Sequence, residues 1–197
     1  MARTVDPARH LARRMQIIDA ALTRFAEDGF DRATTTAICR AAGIGSGTFF
    51  HYFPTKLAVL LAVLDLGTAE TGRWFAAQHG RDDAARVITD YVGHHADECA
   101  DPRVAGFVRA VGAVAGDPDV AAALERDERT VHEGLLPWVR KAVADGQIRA
   151  DQPSGRLAVW IEVLLDGYLG RIAGQDRFDA VAEKAMLLDA VSRLLKP

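Results

Sequence analysis

The sequence predicts an all-α protein of about nine helices: an N-terminal three-helix helix-turn-helix domain over residues 1–56 and a larger helical domain over residues 57–197. Three observations carry this. Apolar residues recur every three or four positions in every segment, with no strand-like alternation. The stretch Thr34–Lys56 reads as two short helices around a glycine turn, followed by the start of another helix. No linker rich in Gly, Ser or Pro separates the two parts, so a continuous helix is expected to join them.

The first helix has one apolar stripe, Leu11, Met15, Ile18, Leu22 and Phe25, and Gly29 is its expected stop. Thr34 can cap a second helix through Cys39 to Ala42, and Gly43 can take the left-handed conformation that reverses the chain. Ser46 to Phe53 then form a short third helix, ended before Pro54. Ile38, Ile44, Phe49 and Phe53 are the apolar positions that can share one small core. Thr35, Thr36, Ser46, Gly47, Thr48, Phe50, His51 and Tyr52 remain for the outside. Small hydroxyls permit close approach to a duplex, aromatic rings suit thymine methyls or sugars, and Lys56 at the next helix start suits a phosphate. A two-turn rod with this polar outer side fits a major groove.

These residues resemble the DNA-binding domain of the TetR family of bacterial transcriptional regulators. The resemblance covers about the first quarter of the chain. It is carried by Ile17-Ile-Asp-Ala-Ala-Leu-Thr-Arg-Phe-Ala-Glu-Asp-Gly-Phe30, the Thr-Thr start of the second helix, Ala42-Gly43, and Gly47-Thr-Phe-Phe-His-Tyr-Phe53 followed by Lys56. It implies that Thr35, Thr36, Ser46, Gly47, Phe50 and His51 face bases or sugars, while Thr48, Tyr52 and Lys56 hold phosphates. The chain departs from the family pattern at Gly45, where serine is usual, at Ser46, often basic, and at Phe50, commonly tyrosine.

Charge is divided along the chain. Residues 1–56 hold eight basic and five acidic residues, a net +3, and the remainder holds 16 basic and 22 acidic, a net −6. A basic head on an acidic body would turn toward a phosphate backbone and bind less tightly as salt rises. No run of about 18 apolar residues is present, and the N-terminus lacks an apolar signal core, so no membrane is expected and the cytoplasm is the expected location. Cys39 and Cys99 read as reduced thiols packed like small hydrophobes.

A fourth helix follows Pro54 and should run toward Trp74 and His79. Helices are then expected over about Asp82–Cys99, Arg103–Ala115 and Asp119–Asp145, the last kinked or split by Gly134 and Pro137. The final two, about Ser154–Ala173 and Arg177–Leu195, are apolar nearly all the way round. A surface helix needs one stripe, so each is expected to bury a second side against a partner, with Trp160, Leu164, Leu187, Val191 and Leu194 at the interface. The family resemblance implies the same homodimer, and a two-fold pair of reading helices calls for an inverted-repeat double-stranded DNA operator.

Motifs for catalysis, nucleotide cradles or metal sites are missing. Gly43-Ile-Gly-Ser-Gly-Thr48 lacks the Gly-Lys-Ser/Thr end of a phosphate loop, and no enzyme, cofactor or metal is expected. His95 and Cys99 share one helix face, yet two ligands do not make a metal site. The resemblance implies a cavity in the larger domain. Trp74, Tyr91, His95, Phe107, Trp138, Trp160 and Tyr168 are the residues that either fill its core or line a pocket for a small apolar or aromatic effector. The expected function is a DNA-binding regulator, a repressor released by that effector through a swing of the fourth helix. The alternative is a helical ligand-binding or interaction protein with weak or lost DNA affinity.

Overall fold

The computed structural model describes residues 6–174 and 178–196. Among the described residues there are nine helices and no strand: α1 (Pro7–Arg32), α2 (Thr35–Ala41), α3 (Ser46–Tyr52), α4 (Lys56–Ala77), α5 (Ala84–Glu98), α6 (Val104–Gly112), α7 (Pro118–Ala144), α8 (Ser154–Ala173) and α9 (Ala180–Leu195). Asp6 caps α1 by accepting the Ala8 N–H, with Pro7 in the first turn where its missing N–H costs nothing. Gly29, at φ 75°, breaks α1, but one more turn follows to Arg32.

Contacts divide the chain into two compact units, Met1–Leu66 with Gly106–Leu124, and Gly67–Ala105 with Glu125–Pro197. This differs from the continuous segments 1–56 and 57–197 expected from the sequence. The reason lies in α6: Ala110 and Val111, with Val120 of α7, are buried in the same cluster as Ile17, Phe25, Ile38, Phe49, Val59 and Leu60. Fully burying a ring such as Phe25 or Phe49 contributes roughly 2 kcal/mol, so these side chains dominate the small unit. The chain passes between units inside α4, α6 and α7.

The second unit is built around Ile88, Leu135, Val139, Leu157, Ile161 and Val191. Here α7 continues through Pro137 as one helix, so of the expected kink or split the split does not occur. Gly134 serves packing instead, since a Cβ there would stand 2.2 Å from the Phe75 ring and only glycine lets that ring approach. The helix ends in a reversal at Gly146, φ 68°, with Gln147 N–H donating to the Ala142 carbonyl and Gly146 N–H to that of Val143. The expected start of the last helix, Arg177, lies outside the described residues. Asp179 caps α9 by accepting the N–H groups of Val181 and Ala182. Among the described residues no single helix is long and apolar enough to cross a membrane.

Candidate nucleic-acid interface

The angle between α2 and α3 is set by local hydrogen bonds. Thr34 Oγ1 accepts the Ala37 N–H at 3.1 Å and starts α2. At its end Gly43 takes φ 60°, Ile44 N–H donates to the Cys39 carbonyl and Gly43 N–H to the Arg40 carbonyl. That pair of bonds is the Schellman reversal, which a side chain at position 43 would strain. Gln16 Nε2 donates to the Ala42 carbonyl at 2.8 Å and ties this turn to α1. No side chain caps α3, whose first turn begins at Gly45.

The two sides of α3 then separate. Phe49 and Phe53 are buried, and Ile44 packs half-buried beside them. Ser46, Gly47, Thr48, Phe50 and His51 are exposed, as is Thr36 on α2; Thr35 and Tyr52 are half-buried. Phe50 is 53% exposed, an unusual placement for a ring without a polar handle. Arg9, Arg13 and Arg40 are exposed cations of the same unit.

Lys56 is more engaged than its sequence position suggests. Its ammonium donates to the carbonyls of Phe30 at 2.6 Å and Asp31 at 3.3 Å, and lies 4.3 Å from the centre of the Phe30 ring. Two side chains of α1 that sequence reasoning misses also meet the end of α3. Arg14 stacks over Phe53 at 5.1 Å, and His10 lies against Tyr52 at 4.6 Å. Nothing in the sequence links positions 10 and 52, since neither spacing nor motif joins them.

The residues expected to line an effector pocket do not form one group. Trp74 and Tyr91 meet at 5.2 Å, and His94 stacks on Trp74 at 5.5 Å with the rings 13° apart. His95 lies next to them in sequence, its Nε2 3.5 Å from Cys99 Sγ. Burial, and secondarily the charge of His94, lower its pKa to about 4. Burial also pushes the Cys99 thiol up to about 12, so it stays a protonated, inert thiol. Trp138 packs half-buried on the core of the second unit. Phe107, by contrast, packs against the core of the first unit, because α6 lies there from Gly106 onward. Tyr168 is buried, its hydroxyl donating to the Ala180 carbonyl, which makes it a brace between α8 and α9. Trp160 is 48% exposed on the outer face of α8.

Four carboxylates act electrostatically on Tyr91. Burial pushes its phenol up, and Asp127, Glu98, Glu162 and Asp166 add to that effect. Glu98 and Asp166 are themselves held above the usual carboxylate range, first by burial and then by neighbouring acids. His132, half-buried, pairs with Glu162 at 2.8 Å.

The expected interface on α8 and α9 needs correction. Leu187 and Val191 are buried in the subunit's own core, because α9 turns them toward α5 and α8, and cannot face a partner. Leu164 and Leu194 are half-buried. The outward apolar set is Val159, Trp160 and Val163 on α8 with Val181 and Met186 on α9.

Comparison with known proteins agrees with this geometry. The family model for bacterial regulatory proteins of the tetR family matches residues 17–63. The chain is 31% identical over 169 residues to the HTH-type transcriptional repressor Rv1474c of Mycobacterium tuberculosis, covering 85% of this chain and 87% of that protein. Salmonella enterica GusR superposes with a TM-score of 0.74 at 25% identity, covering 98% of each chain. A TetR transcription regulator from Haloarcula marismortui shares the fold, with a TM-score of 0.81 at 14% identity over 94% of this chain and 97% of that one. The outward α3, the reversal at Gly43 and these likenesses together establish that the chain belongs to the TetR family of DNA-binding bacterial transcriptional regulators.

Proposed function

We propose that the protein is a homodimeric repressor that holds an inverted-repeat operator until a small molecule binds in the second unit, and that it acts in the cytoplasm without a cofactor. The observation that carries this is the outward set on α3, where an apolar side fixed by Phe49 and Phe53 leaves Ser46, Gly47, Thr48, Phe50 and His51 to a groove. Thr35, Thr36, Ser46, Gly47, Phe50 and His51 reach bases and sugars, while Thr48, Tyr52 and Lys56 hold phosphates. An ammonium has three donors, and two of those on Lys56 are used by carbonyls, so one is left for a phosphate oxygen.

Two copies pair through the outer faces of α8 and α9 as a four-helix bundle, bringing two reading helices to successive turns of a duplex, ~34 Å apart. An effector that fits one spacing of these helices better than another shifts the population by its difference in affinity. The carboxylates that act on Tyr91 and the exposed side of the Trp74–His94 stack favour an effector with positive charge as well as aromatic surface. The test is selection of a duplex from a randomised library, followed by a fluorescence-anisotropy titration at several salt concentrations. An inverted repeat whose affinity falls as salt rises, and falls further in His51→Ala, supports the reading; affinity unchanged in His51→Ala overturns the role of α3.

A further inference from the structure

The start of α1 reaches the reading helix. The His10 ring lies 4.6 Å from that of Tyr52, tilted by 36°, and 6.2 Å from that of His51, edge-on at 80°. His51 and Tyr52 meet each other at 5.2 Å and 88°. One turn further along α1, Arg14 covers Phe53. Thus two residues four apart on α1 grip two consecutive aromatic residues at the end of α3.

We propose that His10 is a positioning residue for DNA recognition, holding Tyr52, and with it His51, in the orientation that meets the duplex; this rests on the DNA-reading role of α3. The seven residues of α3 make too few turns to be stable alone, so its last turn takes its order from what packs on it. Tyr52 is half-buried, and its phenol hydroxyl can reach a phosphate only within a hydrogen-bond distance of about 2.7–2.8 Å. A ring free to change rotamer would meet that condition only part of the time. Contact with the imidazole face narrows the choice before DNA arrives, and the ordering cost then falls on folding instead of binding. The inward side of α3 is fixed by Phe49; its outward aromatic side is fixed from α1.

The test uses full-length protein and a fluorescent duplex selected by the wild type from a randomised library. His10→Ala should weaken binding about three- to tenfold, the range expected for one aromatic pair, while the thermal midpoint falls by no more than about 2–4 °C. His10→Phe, which keeps a ring in the same place, should restore affinity. In a Tyr52→Leu background His10→Ala should add nothing, since coupled residues do not contribute independently. If His10→Ala does not fold, His10→Gln carries the same expectations. Equal affinity for wild type and His10→Ala overturns the proposal, as does an undiminished loss in the Tyr52→Leu background. A wild type that selects no duplex removes the DNA-reading role itself and the proposal with it, whereas a selected duplex indifferent to position 10 removes the proposal alone.

Discussion

Lys56 Nζ donates to the Phe30 carbonyl at 2.6 Å while resting over the ring of the same residue. The carbonyls of Phe30 and Asp31 lie in the last turn of α1, where no further helical turn follows to bond them, and an ammonium is well placed there because it also meets the negative end of the helix dipole. One side chain therefore fastens the start of α4 to the end of α1, and under the proposed function its remaining hydrogen would meet a phosphate. Lys56→Met keeps the aliphatic stem and removes the charge. It should lower stability by about 1–2 kcal/mol in urea denaturation and reduce the slope of log affinity against log salt by about one unit. An unchanged slope would make Lys56 a structural residue only.

Gly106 lets the backbone of α6 lie close against that of α1. A Cβ there would stand 2.0 Å from the Ala26 carbonyl oxygen and 2.7 Å from its carbon, which are backbone atoms and cannot turn aside. Gly106→Ala should cost about 1–3 kcal/mol by forcing α6 off α1. At Gly112, the last residue of α6, nothing lies within 4 Å, so Gly112→Ala should be neutral or stabilising by up to about 1 kcal/mol. Chemical denaturation of the pair separates lost packing from helix propensity.

His95 makes stability depend on pH. Its pKa in the folded protein, about 4, lies below the ordinary imidazole value of about 6.5, so in that interval the unfolded chain takes up a proton that the folded one refuses. Its contribution is complete above the ordinary value and is lost as pH falls toward the folded value. From about pH 7 to about pH 5 the wild type should lose about 1–2 kcal/mol more than His95→Gln. Parallel curves for the two proteins would show that burial does not hold this imidazole neutral.

The residues show which parts of this architecture are legible in a sequence. Thr34, Gly43 and the Phe49–Phe53 pair announce a cap, a reversal and a core side within a few positions, and the structure places each of them so. The outward face of α3 was legible for the same reason, since it follows from helical period alone. Contacts between distant segments were not. His10 on Tyr52, Lys56 on Phe30 and Gly106 on Ala26 join residues that share no spacing rule. Phe107 misled because an apolar stripe says that a helix is buried, not in which unit. Leu187 and Val191 misled because α9 carries apolar residues on several sides, and only packing shows which of them its own subunit covers.

That last distinction gives a direct test of the assembly. Val163 on α8, 47% exposed and one turn from Trp160, and Met186 on α9, 65% exposed, face outward, whereas Leu187 and Val191 are buried in their own subunit. A charge placed on the outward face of a free monomer would remain in water and cost little. In a four-helix bundle the same charge would lose its hydration without a partner, and two-fold symmetry would place a second copy near it. Val163→Arg should therefore give a monomer in sedimentation velocity with its helical content intact, and its duplex affinity should fall because the two half-sites are no longer read together. Leu187→Ala should act differently, lowering stability by about 2–5 kcal/mol through a core cavity while the folded fraction still pairs. A dimer persisting in Val163→Arg would place the subunit contact elsewhere than the outer faces of α8 and α9.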